Sequence, residues 1–231
     1  MPPTGRAAAR PVAHTVAGVS LALLAERALH WADAETLLVA DLHWGKGATL
    51  RADRIPVPRG TTADDLARLD ALLADTAART LIILGDLFHA RRGRDAATLA
   101  RLATWRATHP DLAITLVRGN HDWHAGDPPA ELRVTCVDEP HPLGPFVLRH
   151  HPAPDPRGYV LAGHVHPVVR LAGRGRQRLT LPCFAFGADV GLLPAFGSLT
   201  GGGVLEPDGT EAIWAIADGE VLPVSPAARA G

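Results

Sequence analysis

Short apolar runs recur along the chain, and each gives way abruptly to polar residues. Thr36–Ala40, Leu81–Leu84, Ile114–Val117, Phe146–Leu148 and Tyr159–Ala162 read as buried strands. Between the first two, Thr62–Ala74 carries Leu66, Leu69, Leu72 and Leu73 at helical spacing, and Thr62 with Asp65 resembles a capping pattern. Between the second and third, Asp95–Thr108 sets Leu99, Leu102 and Trp105 on one face. Strands alternating with helices predict an α/β core. After Tyr159 the pattern turns to β. Val168–Leu171 and Leu179–Leu181 flank Gly173-Arg174-Gly175-Arg176 as a hairpin with a basic tip. Gly203–Leu205, Ala212–Ile216 and Glu220–Leu222 continue as short strands with Asp-Gly turns between them.

The 231 residues suit a single domain over 1–231, with flexible ends at about 1–11 and 223–231. A net charge of -1 does not by itself announce a nucleic-acid partner. Cys136 and Cys183 are the only cysteines, so a disulfide framework is not expected and a cytoplasmic location is. Arg6 and Arg10 precede an apolar stretch from Val12 to Ala25, which superficially suggests a signal peptide. His14, Thr15 and Ser20 interrupt it, and Val19, Leu21 and Leu23 alternate as a strand would. No run is long enough to span a bilayer, so no membrane partner is expected.

The chemistry lies where the apolar runs end. Five segments follow them in order: Asp41-Leu42-His43, Gly85-Asp86-Leu87-Phe88-His89, Arg118-Gly119-Asn120-His121-Asp122, His150-His151-Pro152 and Gly163-His164-Val165-His166. In α/β sheets the loops beyond the strand C-termini line the functional crevice. Asp41, His43, Asp86, Asn120, His150, His164 and His166 offer oxygen and nitrogen donors and no thiolate, a set for hard or borderline divalent metals. That number of donors suits two ions if one carboxylate bridges, and Asp86 is the candidate bridge. Two ions about 3.5–4 Å apart can activate a shared hydroxide and stabilise both attacking and leaving oxygens at phosphorus.

This ordered series resembles the calcineurin-like metallophosphoesterase superfamily, over about residues 19–222. The resemblance implies an α/β fold, a four-layer α-β-β-α sandwich of two mixed sheets, around a dinuclear centre. It implies that Asp41, His43, Asp86 and His166 hold one metal, and that Asp86, Asn120, His150 and His164 hold the second. His121 matches the residue that contacts the phosphate and protonates the leaving group, with Asp122 orienting it. Spacing alone leaves His150 and His151 open; His150 directly follows the strand, as the matching ligand does in the family. His89 stands where the family often has Asp, which points to an outer-shell or substrate-contacting role.

Further segments resemble one branch, the bacterial ligase-associated DNA-damage-response endonucleases: Asp41-Leu42-His43-Trp44-Gly45-Lys46, Ile55-Pro56-Val57-Pro58-Arg59-Gly60, Gly163-His164-Val165-His166-Pro167 and Leu181-Pro182-Cys183-Phe184. The likeness implies a manganese-dependent phosphodiesterase that nicks single-stranded DNA; by ligand type alone, imidazole and carboxylate suit manganese, iron or zinc. It also implies a repair pathway shared with an ATP-dependent DNA ligase, an Lhr-type helicase and an exonuclease. Lys46, the sole lysine, and Arg118 join His89 as candidate substrate contacts. Arg51, Arg54, Arg59, Arg91, Arg92 and Arg94 also follow the strand-end loops, where an arginine-biased surface is the competing reading. Trp44 suits packing beneath its loop better than base stacking. Cys183 reads as buried. His14, His30, His109, His124 and His141 read as surface residues. Oligomeric state is open, a homodimer included. The rival functions are a phosphatase or phosphodiesterase of nucleotides or other small phosphoesters, and an inactive scaffold of the same fold; the full ligand series argues against the scaffold.

Overall fold

The first strands form an antiparallel meander: β1 (Val12–Val16), β2 (Val19–Leu24), β3 (Ala28–Trp31) and β4 (Thr36–Ala40). Parallel strands β5 (Thr80–Leu84), β6 (Ala113–Val117) and β7 (Val134–Val137) complete a seven-stranded sheet in the order β1-β2-β3-β4-β5-β6-β7. These coordinates are a computed structural model, and they describe residues 10–172, 178–206, 209 and 211–225. Helices α1 (Lys46–Ala52) and α2 (Thr61–Thr76) connect β4 to β5. Helix α3 (Ala96–Thr108) connects β5 to β6, and α4 (Asn120–Ala125) lies between β6 and β7.

The second sheet is built from the later chain: β8 (His141–Leu143), β9 (Phe146–Arg149), β10 (Tyr159–Ala162), β11 (Pro167–Ala172), β12 (Arg178–Phe186), β13 (Val190–Leu192), β14 (Gly203–Val204), β15 (Ala212–Ala217) and β16 (Glu220–Pro223). Its order is β14-β11-β12-β13-β10-β9-β8, with β15 paired to β12 and β16. β9, β10 and β13 run parallel while β11 and β12 are antiparallel, so this sheet is mixed as well.

Strand alternation explains why the central strands are apolar runs. Leu37, Val39, Leu81, Ile83, Ile114 and Leu116 face α2 and α3, where they meet Leu66, Leu69, Leu72, Leu102 and Trp105. Leu38, Ala40, Ile82, Leu84 and Val117 face the other sheet and pack on Phe146, Leu148, Leu161, Phe184 and Leu193. A strand buried on both faces has no polar side to show. The α/β class with two mixed sheets and outer helices is therefore what the chain forms. Its α-helices are unevenly shared: among the described residues all four precede β7. The remaining face of the second sheet packs Val169, Cys183, Ala185, Ile213 and Ala215 against Val224.

Local details depart from the sequence pattern. Thr62 and Asp65 do not form a capping box. Gly60 caps α2 without a side-chain bond, and buried Asp65 instead takes the Ser198 hydroxyl and Arg68, 3.0 Å away. Asp95 does cap α3, accepting from the Thr98 N–H at 2.7 Å. The stretch from Val12 is the β1–β2 hairpin. The tip Gly173-Arg174-Gly175-Arg176, Asp208, and residues 1–9 and 226–231 lie outside the described residues. At the C-terminal side Val224 is buried and its N–H donates to the Ile213 carbonyl at 2.9 Å. His14, His30, His109 and His141 are half-buried rather than surface residues; His14 lies 4.2 Å from the Phe186 ring, and only His124 of the group is exposed. Trp44 is buried beside Trp105, and Cys183 is buried. No helix among the described residues is long and apolar enough to cross a membrane.

Candidate metal centre

Strand direction brings the five polar segments together. β4, β5 and β6 point their C-termini the same way in one sheet, as β9 and β10 do in the other. The loops after β4 and β5 stay zipped beyond the strands, with the His43 N–H on the Asp86 carbonyl and the Trp44 N–H on the Leu87 carbonyl, both at 2.8 Å. Asp41, His43, Asp86, His164 and His166 all take left-handed backbone conformations, with φ between 47° and 68°. Such conformations are costly for residues with a Cβ and persist where surrounding structure over-determines them. Here they turn five side chains inward.

Those side chains form two nests sharing one carboxylate. In the first, His43 Nε2 lies 3.3 Å from His166 Nε2 and 3.6 Å from Asp86 Oδ2, while His166 Nε2 is 3.4 Å from Asp41 Oδ1. In the second, His150 Nε2 lies 2.9 Å from Asn120 Oδ1, 3.1 Å from His164 Nδ1 and 3.5 Å from Asp86 Oδ1. Asp86 thus offers Oδ2 to one nest and Oδ1 to the other. Asp41, Asp86 and His150 are 0%, 2% and 0% exposed.

The surrounding backbone fixes the rings. His150 Nδ1 donates to the Leu84 carbonyl at 3.1 Å, and His166 Nδ1 donates to the Gly201 carbonyl at 3.1 Å. Each bond leaves the Nε2 lone pair aimed into its nest. Gly85 permits this packing: its φ is +79°, and a Cβ there would lie 2.0 Å from His150 Nδ1. Glu139 holds the other side of the loop. Its carboxylate accepts from the His150 N–H at 2.6 Å, the His151 N–H at 2.9 Å and His151 Nδ1 at 2.6 Å. His151 thereby commits Nδ1 to Glu139 while its ring stays 4.3 Å from that of His164, and His150 occupies the nest. No sequence motif pointed to Glu139, which lies between β7 and β8.

His121 stands at the mouth of the first nest, with Nε2 3.9 Å from Asp86 Oδ2. Its orienting partner is not Asp122. His121 Nδ1 donates to the His89 carbonyl at 2.6 Å. Asp122 is buried and accepts from the Asp86 N–H at 2.7 Å, the Gly119 N–H at 2.9 Å and the Leu87 N–H at 3.0 Å. It ties two loops together rather than touching the imidazole. His89 stacks on His121 with ring centroids 5.0 Å apart. Arg118 does not join the group. It makes two 2.7 Å bonds to Asp127 and one of 2.7 Å to Asp138, away from the nests.

Charge follows burial. Burial pushes the Asp86 carboxyl up to about 6, with nearby Asp41 adding to the shift and the His121 N–H opposing it. Burial, then His166 and His121, bring the His43 imidazole down to about 2. His89 falls to about 4 through burial, Lys46 and His121. Burial lowers the Lys46 ammonium and nearby Asp86 raises it, so Lys46 acts on the first nest electrostatically.

Divalent cations fit these residues. In each nest, imidazole nitrogens and amide or carboxylate oxygens converge, and His150 and His166 already commit Nδ1 to backbone carbonyls. Acceptors facing acceptors around the buried Asp41, Asp86 and His150 repel unless positive charge lies between them. Oxygen and nitrogen donors without thiolate are the set for manganese, iron or zinc. Beyond the Gly45 turn, a hollow of about 250 Å³ is lined by Arg51, Arg59 and Arg101 with Thr61 and Thr62.

The family model of calcineurin-like phosphoesterases matches residues 35–157. The crystal structure of Pseudomonas putida nuclease MPE is similar at 46% identity and a TM-score of 0.80, covering 93% of this chain and 99% of that one. YfcE, a phosphoesterase from E. coli, is similar at 18% identity and a TM-score of 0.39, covering 82% of this chain and 98% of that one. No curated protein sequence matches the chain.

Proposed function

The chain belongs to the calcineurin-like phosphoesterase family, and from that premise we propose that it is a manganese-dependent phosphodiesterase that cleaves single-stranded DNA in repair. The observation that carries its two-ion phosphoesterase core is the division of Asp86, Oδ1 to one nest and Oδ2 to the other. Asp41, His43, Asp86 and His166 would hold one ion, and Asp86, Asn120, His150 and His164 the second. When bound, two ions would supply Lewis acidity at phosphorus and lower the pKa of the attacking water.

The chain's own residues do the rest. His121 keeps Nδ1–H on the His89 carbonyl, which leaves its Nε2 3.9 Å from Asp86 Oδ2, where it would meet the reacting phosphate. In the imidazolium form, Nε2–H gives its proton to the leaving oxygen. His89, stacked on that ring, restricts its rotation and borders the substrate. Lys46 adds positive potential on the same side. Asp122 keeps the Asp86 and Asn120 loops in register.

DNA as substrate is supported by two observations. The similar structure at 46% identity is a nuclease. The hollow lined by Arg51, Arg59 and Arg101 suits a neighbouring backbone phosphate. Functional association with an ATP-dependent DNA ligase, an Lhr-type helicase and an exonuclease is part of the same proposal.

The test is closed circular single-stranded DNA with Mn²⁺, Mg²⁺ or Zn²⁺, with Asp86→Ala as control. Linearised circles with Mn²⁺, absent for the variant, are the expected result. Intact circles alongside turnover of a small phosphodiester would overturn DNA as the substrate. Substantial activity in Asp86→Ala would overturn the bridging role.

A further inference from the structure

Among the described residues Trp123 is the most exposed large apolar side chain, at 66%. It lies on α4, the helix that begins with Asn120 and His121, about 4.5 Å along the axis from Asn120. Its ring is backed by the Arg118 guanidinium, whose Cζ lies 5.6 Å from the ring centroid. That guanidinium is locked by two bonds to Asp127 and one to Asp138, each 2.7 Å. Three of its five N–H groups are spent on two carboxylates, which outweigh its charge, so it supports the indole rather than a phosphate. Asp138 is followed by Glu139, which carries the His150 and His151 N–H groups. The indole and its backing are therefore built onto the rim of the candidate metal centre.

We propose that Trp123 is a stacking platform for an unpaired base of the strand being cut. This rests on the single-stranded DNA reading above and names how that substrate is chosen. An exposed indole with a pinned guanidinium over its ring has area to offer and few rotors to freeze on taking a base. Every base has a π-face, so the contact tolerates sequence. A base within a duplex already stacks on both neighbours and has no face to give. The platform selects unpaired strands without reading sequence.

The experiment measures Mn²⁺-dependent cleavage of a 20-nucleotide single strand and of an abasic strand with the same phosphates, by wild type, Trp123→Ala and Trp123→Phe. On the normal strand Trp123→Ala raises KM about five-fold or more while kcat at saturation holds, and Trp123→Phe restores most of the loss. On the abasic strand wild type and Trp123→Ala have equal KM. Equal KM on the normal strand overturns the proposal, as does the same loss on both strands, which would mean that Trp123 acts through the shape of α4. Wild type that hydrolyses a small phosphodiester yet cuts neither strand overturns the DNA reading itself.

Discussion

Replacing Asp122 by asparagine separates two accounts of this residue. As an orienter of His121, it would act on proton transfer. As a tie between loops, it would act on stability and on the placement of Asp86 and Asn120. The geometry supports the second, because Asp122 accepts three backbone N–H groups and none of its contacts reaches His121. An asparagine oxygen in place of Oδ2 keeps the Asp86 and Gly119 bonds but loses their charge assistance, about 1 kcal/mol each. Its NH₂ then opposes the Leu87 N–H, leaving a buried donor unsatisfied at about 1–3 kcal/mol. Removing the buried charge offsets part of this, since burial is what pushes the Asp122 carboxyl up to about 6. A net loss of about 2–3 kcal/mol follows, or roughly 5–10 °C in Tm for a chain of this length. Calorimetry on metal-loaded protein reads it. In parallel, Asp122→Asn lowers kcat by the same factor for esters with good and poor leaving groups. A Tm unchanged within about 2 °C, or a loss confined to poor leaving groups, would refute the reasoning.

Three further outcomes follow from the same geometry. Gly85→Ala places a Cβ 2.0 Å from His150 Nδ1 in a left-handed backbone, so the ring is displaced and bound Mn²⁺ falls from two per chain to one by elemental analysis; undiminished stoichiometry would contradict the nest. Glu139→Ala frees the loop that carries His150 and weakens Mn²⁺ binding about 10–100-fold by titration calorimetry, and an unaltered affinity would remove Glu139 from the support of the site. His121→Ala slows esters with poor leaving groups by about 10²–10⁴ and p-nitrophenyl esters far less, whereas equal losses would argue against proton donation by Nε2.

What the sequence revealed and what it withheld divide along a physical line. The central strands were legible because burial on both faces leaves no polar residue in Leu37–Ala40 or Leu81–Leu84. The candidate ligands were legible because each follows such a strand. The choice of His150 over His151 also had a signal. Phe146 and Leu148 pack between the sheets, and the period of two carries on to His150. The partners of His121 and Asp122 had none. A backbone carbonyl is the same at every residue, so the role of His89 as an acceptor cannot be read from its side chain. Glu139 and the pairing of Arg118 with Asp127 and Asp138 depend on how loops from both sheets meet. Trp123 shows the same limit: like Trp44, whose packing beneath its loop was legible, it stands beside a site residue, and only tertiary packing leaves it exposed.

The left-handed conformations of Asp41, His43, Asp86, His164 and His166 explain why the centre needs so large a frame. Each costs on the order of 1 kcal/mol for a residue with a Cβ. Together they are comparable to the net stability of an ordinary domain, about 5–15 kcal/mol. Such strain persists only if the strands that feed these loops are themselves not free to relax. β4 and β5 meet that condition by being sandwiched between α2, α3 and the second sheet, and β10 by lying between β9 and β13. The apolar runs and the polar clusters that end them are thus one device. The runs hold their strands in place, and that rigidity turns the first residues beyond them inward, where two carboxylates and four imidazoles would not otherwise converge.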